Sequence, residues 1–141
     1  LTTVPAMERG FALTLDPRLD RLVLFGGVRA AGPLDETWLF DGSSWTQITT
    51  AIAPAPRSGH AMTLDVARQR VVLFGGSDGS ARRADTWEWD GSSWTQAFPG
   101  QSPPARLGHA LAFDSTRGVT VLFGGSPSTA RVTVASSKGL A

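Results

Sequence analysis

The segment Arg70-Val71-Val72-Leu73-Phe74-Gly75-Gly76 joins a strong strand signal to a strong stop signal. After Arg70, the residues Val71 to Phe74 are β-branched, aliphatic and aromatic, as a buried strand requires. The two glycines then end the run, giving a backbone free to take positive φ and to pass close to another backbone. The same ending occurs three times, as Leu24-Phe25-Gly26-Gly27, Leu73-Phe74-Gly75-Gly76 and Leu122-Phe123-Gly124-Gly125, each step being 49 residues.

Other features share that period. Thr37-Trp38 returns as Thr86-Trp87, and Asp41-Gly42-Ser43-Ser44-Trp45-Thr46-Gln47 returns unchanged as Asp90-Gly91-Ser92-Ser93-Trp94-Thr95-Gln96. Pro56-Arg57-Ser58-Gly59-His60-Ala61 is echoed by Ala105-Arg106-Leu107-Gly108-His109-Ala110, and more weakly by Glu8-Arg9-Gly10-Phe11-Ala12. Within the second unit four short strands are expected: His60 to Leu64, Arg70 to Phe74, Asp85 to Trp89 with both tryptophans on one face, and Ser93 to Ala97 after the Asp90-Gly91 turn. No window carries a sustained helical period with caps, so no helix is expected. Four short strands cannot bury both faces of a sheet alone. Stacking such sheets radially buries them, with Trp and Phe between sheets, each able to cover roughly 150–250 Å².

An apolar strand closed by a di-glycine, an aromatic strand, and a Trp a few residues on resemble the Kelch repeat. The matching residues are the three di-glycines, then Trp38/Phe40 and Trp87/Trp89, then Trp45 and Trp94. The resemblance runs from residue 4 to about residue 125. It implies an all-β chain of propeller blades, each with four antiparallel strands, in an incomplete ring of about 2.5 blades. The units are 1–49, 50–98 and a partial 99–125, followed by a divergent tail at 126–141. Two departures stand out: the chain has no Tyr where Kelch repeats usually carry one, Phe40 and Trp89 taking that place, and the turn before Trp45 and Trp94 is tight. The Gly59-His60 and Trp89-Asp90 pairs are also like WD40 repeats, but the first unit reads Gly10-Phe11 and Phe40-Asp41, and 49 residues is long for that repeat.

By the same resemblance, the segment around Arg57-Ser58-Gly59-His60 opens the innermost strand beside the central channel. This makes Arg57, Ser58 and Arg106 the leading ligand-binding candidates, with Arg82, Arg83 and Arg29 in the loops behind them. The alternative is that the repeated arginine hydrogen-bonds neighbouring carbonyls. His60 and His109 occupy equivalent places and join the candidate set. Neither has a His or carboxylate at the spacing of a metal site, so no metal ligand and no cofactor are assigned. Asp35, Glu36 and Asp85 read as solvated loop charge.

The charge is balanced, 13 basic against 12 acidic residues, and no basic stretch argues for nucleic acid. No apolar run nears the ~20 residues that span a membrane. There is no Cys, hence no disulfide and no thiolate ligand. Without Tyr and Cys a copper-radical oxidase is excluded, and no nucleophile–base arrangement is visible. The chain opens at Leu1 with neither a basic nor an apolar leader region, the pattern of a processed product or a segment of something longer. Twelve arginines to one lysine, and no Asn, point to a GC-rich bacterial source. The Asp-Gly-Ser-Ser-Trp turns resemble those of exported bacterial proteins, favouring an extracellular location.

The third unit keeps the pattern to Gly125 and then breaks, with Ser136 where the period calls for Trp; Arg131 to Ala135 still alternate as a strand. Three readings follow: a fragment of a larger propeller, a unit that self-associates to complete a ring, or an engineered or truncated product whose tail replaces lost strands. The expected function is a non-catalytic binding scaffold. Its partners are a homo-oligomer or missing propeller blades, with a protein or glycan ligand. The alternatives are part of a propeller enzyme (sugar mutarotase-like or metal-dependent) and a purely structural blade module.

Overall fold

The computed structural model describes residues 3–17, 20–126 and, for the backbone, 133–136. The described residues are all strand, turn and loop. Strands β1 (Arg9–Leu15), β2 (Leu22–Arg29), β3 (Gly32–Pro33), β4 (Thr37–Phe40) and β5 (Trp45–Ile48) form one antiparallel sheet in the order β1-β2-β4-β5, with the short β3 on the end of β2. Strands β6 (Ala61–Asp65), β7 (Arg70–Phe74), β8 (Thr86–Trp89) and β9 (Trp94–Ala97) form the second, in sequence order. Strands β10 (Leu107–Asp114), β11 (Val119–Ser126) and β12 (Thr133–Ser136) form the third. These are propeller blades in a partial, unclosed ring, as the repeat implies. Arg131, Val132 and most of the 126–141 tail lie outside the described residues.

Each sheet repeats one register. Leu24 pairs with Trp38 and Leu73 with Trp87, so the aromatic strand lies against the apolar one identically in blades one and two. In blade three the partner of Leu122 is Thr133, three residues short of the period. The di-glycine does not always end its strand, because β2 and β11 run on through it.

The blades meet through alternating faces. Val23, Phe25 and Leu39 of blade one bury against Met62, Val71, Leu73, Trp87, Trp89 and Trp94 of blade two. Val72 and Phe74 on the opposite face of β7 bury against Leu122 of blade three. Period-two alternation therefore serves two cores at once, which is why the central strands are apolar throughout.

The innermost strands are linked at one glycine per blade. The Gly59 N–H donates to the Gly10 carbonyl and the Gly108 N–H to the Gly59 carbonyl, both at 2.8 Å. The di-glycines hold the blades in the same way further out. The Gly27 N–H donates to the Arg57 carbonyl at 2.9 Å and the Gly76 N–H to the Arg106 carbonyl at 2.8 Å. Gly26 has φ +66°, and a Cβ there would stand 2.6 Å from the Arg57 carbonyl oxygen and 2.8 Å from the His60 ring. Gly75 repeats this against Arg106 and His109 at 2.7 and 2.8 Å. Gly124 has a similar φ of +76°, but a Cβ there would meet none of the described residues within 4 Å.

That contrast separates backbone strain from inter-blade contact. Gly26→Ala and Gly124→Ala share the left-handed penalty of about 1–2 kcal/mol. Gly26→Ala adds a collision with a fixed carbonyl, and is expected to cost about 1–3 kcal/mol more. Urea denaturation midpoints of the two variants measure the difference.

Candidate functional site

Arg57 lies at the junction of blades one and two and is fully buried. Its backbone N–H donates to the Leu34 carbonyl at 3.0 Å. Its guanidinium donates to the carbonyls of Ala55 at 3.0 Å and Gly75 at 2.9 Å, and grips both Asp85 carboxylate oxygens at 2.7 Å. Asp85 also accepts the Trp87 indole N–H at 2.8 Å. Burial pushes the Asp85 carboxyl up, but the hydrogen bonds from Arg57 and Trp87 and the Arg57 charge outweigh it and hold the group below the usual carboxylate range. Asp85 is thus an internal counter-charge rather than the solvated loop acid that its sequence context suggests. Glu36, one period earlier, likewise accepts from Trp38 and pairs with Arg29.

Arg106 repeats the carbonyl contacts, to Pro104 and Gly124 at 3.0 Å each, and is also buried. One period after Asp85 stands Val134, and among the described residues no carboxylate reaches Arg106. Both repeated arginines therefore direct their donors inward, the carbonyl-bonding arrangement that was the alternative to ligand contact.

The histidines are inter-blade latches. His60 Nε2 donates to the Phe25 carbonyl and His109 Nε2 to the Phe74 carbonyl, both at 3.0 Å. A carbonyl only accepts, so the proton sits on Nε2 and leaves Nδ1 an unpartnered, buried acceptor in both rings. Each ring also packs edge-on against the same phenylalanine, at 5.7 Å for Phe25 and 5.5 Å for Phe74. Burial, then the charge of Arg57, lowers the His60 pKa to about 3, and burial with Arg106 lowers that of His109 to about 4.

Ser58 is half-buried, its backbone exchanging hydrogen bonds with Ser77 at 2.9 Å. Arg82 is exposed and touches Ser126, whereas Arg83 pairs with Asp78 at 2.6 Å. The structure separates the candidates: Arg57, Arg106, His60 and His109 lie inside the seams, while Ser58, Arg82 and Arg83 reach solvent. Among the described residues no group of three His, Asp or Glu stands close enough to hold a metal ion, and no helix is long and apolar enough to cross a membrane.

Thr37 escaped the sequence reading as an interface residue. Trp94 crosses from blade two to donate its indole N–H to the Thr37 hydroxyl of blade one at 3.0 Å, with its ring 5.2 Å from Phe25. The repeated Thr-Trp pair was the available signal, but it drew attention to its Trp and not to its Thr. The repeated Asp-Gly-Ser-Ser turn has a local cause: Asp41 accepts the Ser43 and Ser44 N–H groups at 2.8 Å, and Asp90 does the same for Ser92 and Ser93.

Family comparison agrees with this geometry over nearly the whole chain. The profile described as the KLHDC2/KLHL20/DRC7 Kelch-repeats domain matches residues 2–135. The chain belongs to the Kelch-repeat family. A search of the curated proteins found no match. The di-glycines, the latching histidines and the Trp94 contact are the physical content of this chain's Kelch repeat, and a Kelch-repeat domain suggests a protein-interaction scaffold.

Two predictions follow from the seam. Asp85→Ala leaves the Arg57 charge buried and unpaired. It is expected to cost about 3 kcal/mol, the lower end of the range for breaking a buried pair because Asp85 is partly exposed; thermal and urea unfolding report it. The histidines make stability depend on pH. Their folded pKa values lie below the unfolded value of about 6.5, so between roughly pH 6.5 and 3 the unfolded chain binds more protons. Stability is complete above that window and falls as pH drops through it, by up to about 1.4 kcal/mol per pH unit for each ring. Urea midpoints at pH 7.5, 5.5 and 4.5 should descend, and His109→Gln should flatten the descent.

Proposed function

We propose that this Kelch-repeat chain is a non-catalytic scaffold that binds other polypeptides, and that it self-associates through its outer blade faces to build a larger propeller. The observation that carries the reading is the exposure of residues whose repeat equivalents are buried. Phe123 is 60% exposed, although Phe25 and Phe74 are fully buried. Phe11, Leu13 and Leu15 on β1 are exposed, although their repeat equivalents, His60 just before β6 and Met62 and most of Leu64 on it, are covered by the preceding blade. The two faces are complementary halves of the seam that joins the blades internally. Head-to-tail contact of two chains would place β1 of one on β11 of the other, and three blades from each would make a six-bladed ring.

A glycan or protein ligand would then meet the loops. Arg82, Arg83 and Ser58 are the candidates that remain within reach of solvent, whereas Arg57, Arg106, His60 and His109 act by holding those loops in place. Catalysis is the weaker reading because the buried ionisable groups point into seams rather than into a shared cleft.

Light scattering across a concentration series tests the association. A dimer or larger closed species is expected, with Phe123→Asp reducing it to monomer. A wild-type monomer at every concentration would reject self-association.

A further inference from the structure

Glycine follows aspartate three times in the sequence, at Asp41-Gly42, Asp78-Gly79 and Asp90-Gly91, and there is no Asn. An Asp-Gly step is where a chain most readily closes a succinimide ring, because a residue without Cβ leaves its amide nitrogen unshielded beside the carboxyl group. Without asparagine, which reacts by the same route, these three steps are the most labile bonds of the backbone. The turns impose the glycine. Gly42, Gly79 and Gly91 have φ of +98°, +94° and +97°, a left-handed conformation that other residues adopt only at a cost. At Gly42 a Cβ would meet none of the described residues within 4 Å, so conformation rather than crowding calls for glycine there.

All three aspartates are held in one way. The backbone N–H groups of Asp41, Asp78 and Asp90 donate to the carbonyls of Ser44, Ala81 and Ser93, each at 3.2 Å. One carboxylate oxygen accepts the N–H groups two and three residues on at 2.8 Å: Ser43 and Ser44, Ser80 and Ala81, Ser92 and Ser93. Asp41 also accepts the Ser43 and Ser44 hydroxyls at 2.9 and 3.0 Å, and Asp90 those of Ser92 and Ser93 at 3.0 and 3.2 Å. Asp78 instead meets the Arg83 guanidinium at 2.6 Å. The turns at Asp41 and Asp90 are repeat equivalents, but one period before Asp78 stands Arg29, so the third turn arises independently of the repeat.

Ring closure needs the carboxyl group protonated and free to bring its Cγ to the glycine nitrogen. The N–H groups of Ser43 and Ser44, then their hydroxyls, hold the Asp41 carboxyl below the usual carboxylate range, and the N–H groups of Ala81 and Ser80, with Arg83, do so for Asp78. At Asp90 burial pushes the group up, but the bonds from Ser92 and Ser93 outweigh it.

We propose that this grip on the carboxylate is a chemical lock that keeps the three Asp-Gly bonds from isomerising, and that the paired serine hydroxyls are part of it. In the blocked reaction the Gly42 nitrogen bonds to Asp41 Cγ, and its proton leaves with the carboxyl hydroxyl as water. Water then adds to the ring at the main-chain carbonyl and breaks the bond from that carbonyl to nitrogen. The product is an isoaspartyl link, in which the main chain runs through Cβ and is one carbon longer. At Asp78 such a link would lengthen the hairpin that carries Arg82 and Arg83.

The 141-residue chain is incubated at neutral pH and body temperature beside a free peptide of residues 39–46. Isoaspartate is read at each site by isoaspartyl methyltransferase labelling and peptide mapping. Asp41-Gly42 in the folded chain is expected to isomerise at least about tenfold more slowly than in the peptide, since the protonated form thins about tenfold for each unit the pKa falls. Joint replacement Ser43→Ala and Ser44→Ala removes two hydroxyl donors and keeps both amides. It should speed the reaction at Asp41 several-fold while Asp90, in the same molecule, keeps its wild-type rate. Arg83→Gln gives an independent reading at Asp78, where the rate should rise with Asp41 unchanged. Equal rates in folded chain and peptide would overturn the proposal. So would unchanged rates in both variants, which would assign the protection to backbone rigidity alone. A rise at all three sites together in either variant would mean general loosening and would likewise overturn a local lock.

Discussion

Everything in this chain depends on the close approach of one blade's Arg-x-Gly-His segment to the preceding blade's di-glycine. The Arg57 carbonyl passes so near Gly26 that no side chain fits between them, and in return it accepts the Gly27 N–H. At the same seam His60 ties the Phe25 carbonyl and packs on the Phe25 ring. Backbone hydrogen bonds and apolar packing are thereby satisfied at one point. A seam that satisfied only one of them would leave buried carbonyls or an unfilled gap.

The buried charge is a consequence of that approach. Bringing the Arg57 backbone to Gly26 carries its guanidinium into the blade, away from water. The charge is tolerable there because Asp85 meets it in a two-pronged pair and the carbonyls of Ala55 and Gly75 occupy other donors. Blade three keeps the arginine and its carbonyl contacts, but its third strand pairs three residues out of the repeat register. The repeat is therefore strictest where one blade meets the next and loosest where no following blade constrains it. Gly124 and Phe123 display the loose case: the conformation and the residue type persist, while the neighbour that would explain them is absent from the described residues.

The same logic links folding to binding. Every blade face in this architecture is made to receive another, so an unpaired face is already a binding surface. Phe11, Leu13, Leu15 and Phe123 mark the two ends of the arc.

The sequence by itself determined the blade architecture. Period-two alternation, the Phe-Gly-Gly endings and the 49-residue spacing are local properties, and local properties survive in a string. Arg70–Phe74 is a strand at the residues its composition selects. Only the tertiary structure decided the roles of the polar residues. Arg57 looks like a channel-facing arginine in the string, yet its partner Asp85 lies 28 positions away and reads as loop charge. Thr37 and Thr86 hold the same repeat position, each followed by Trp, yet Trp94 bonds to the first hydroxyl while the second has no partner. The physical reason is that hydrogen bonds and ion pairs are satisfied between blades. Which of two equal residues is satisfied depends on what packs against it, and its own neighbours in sequence do not record that.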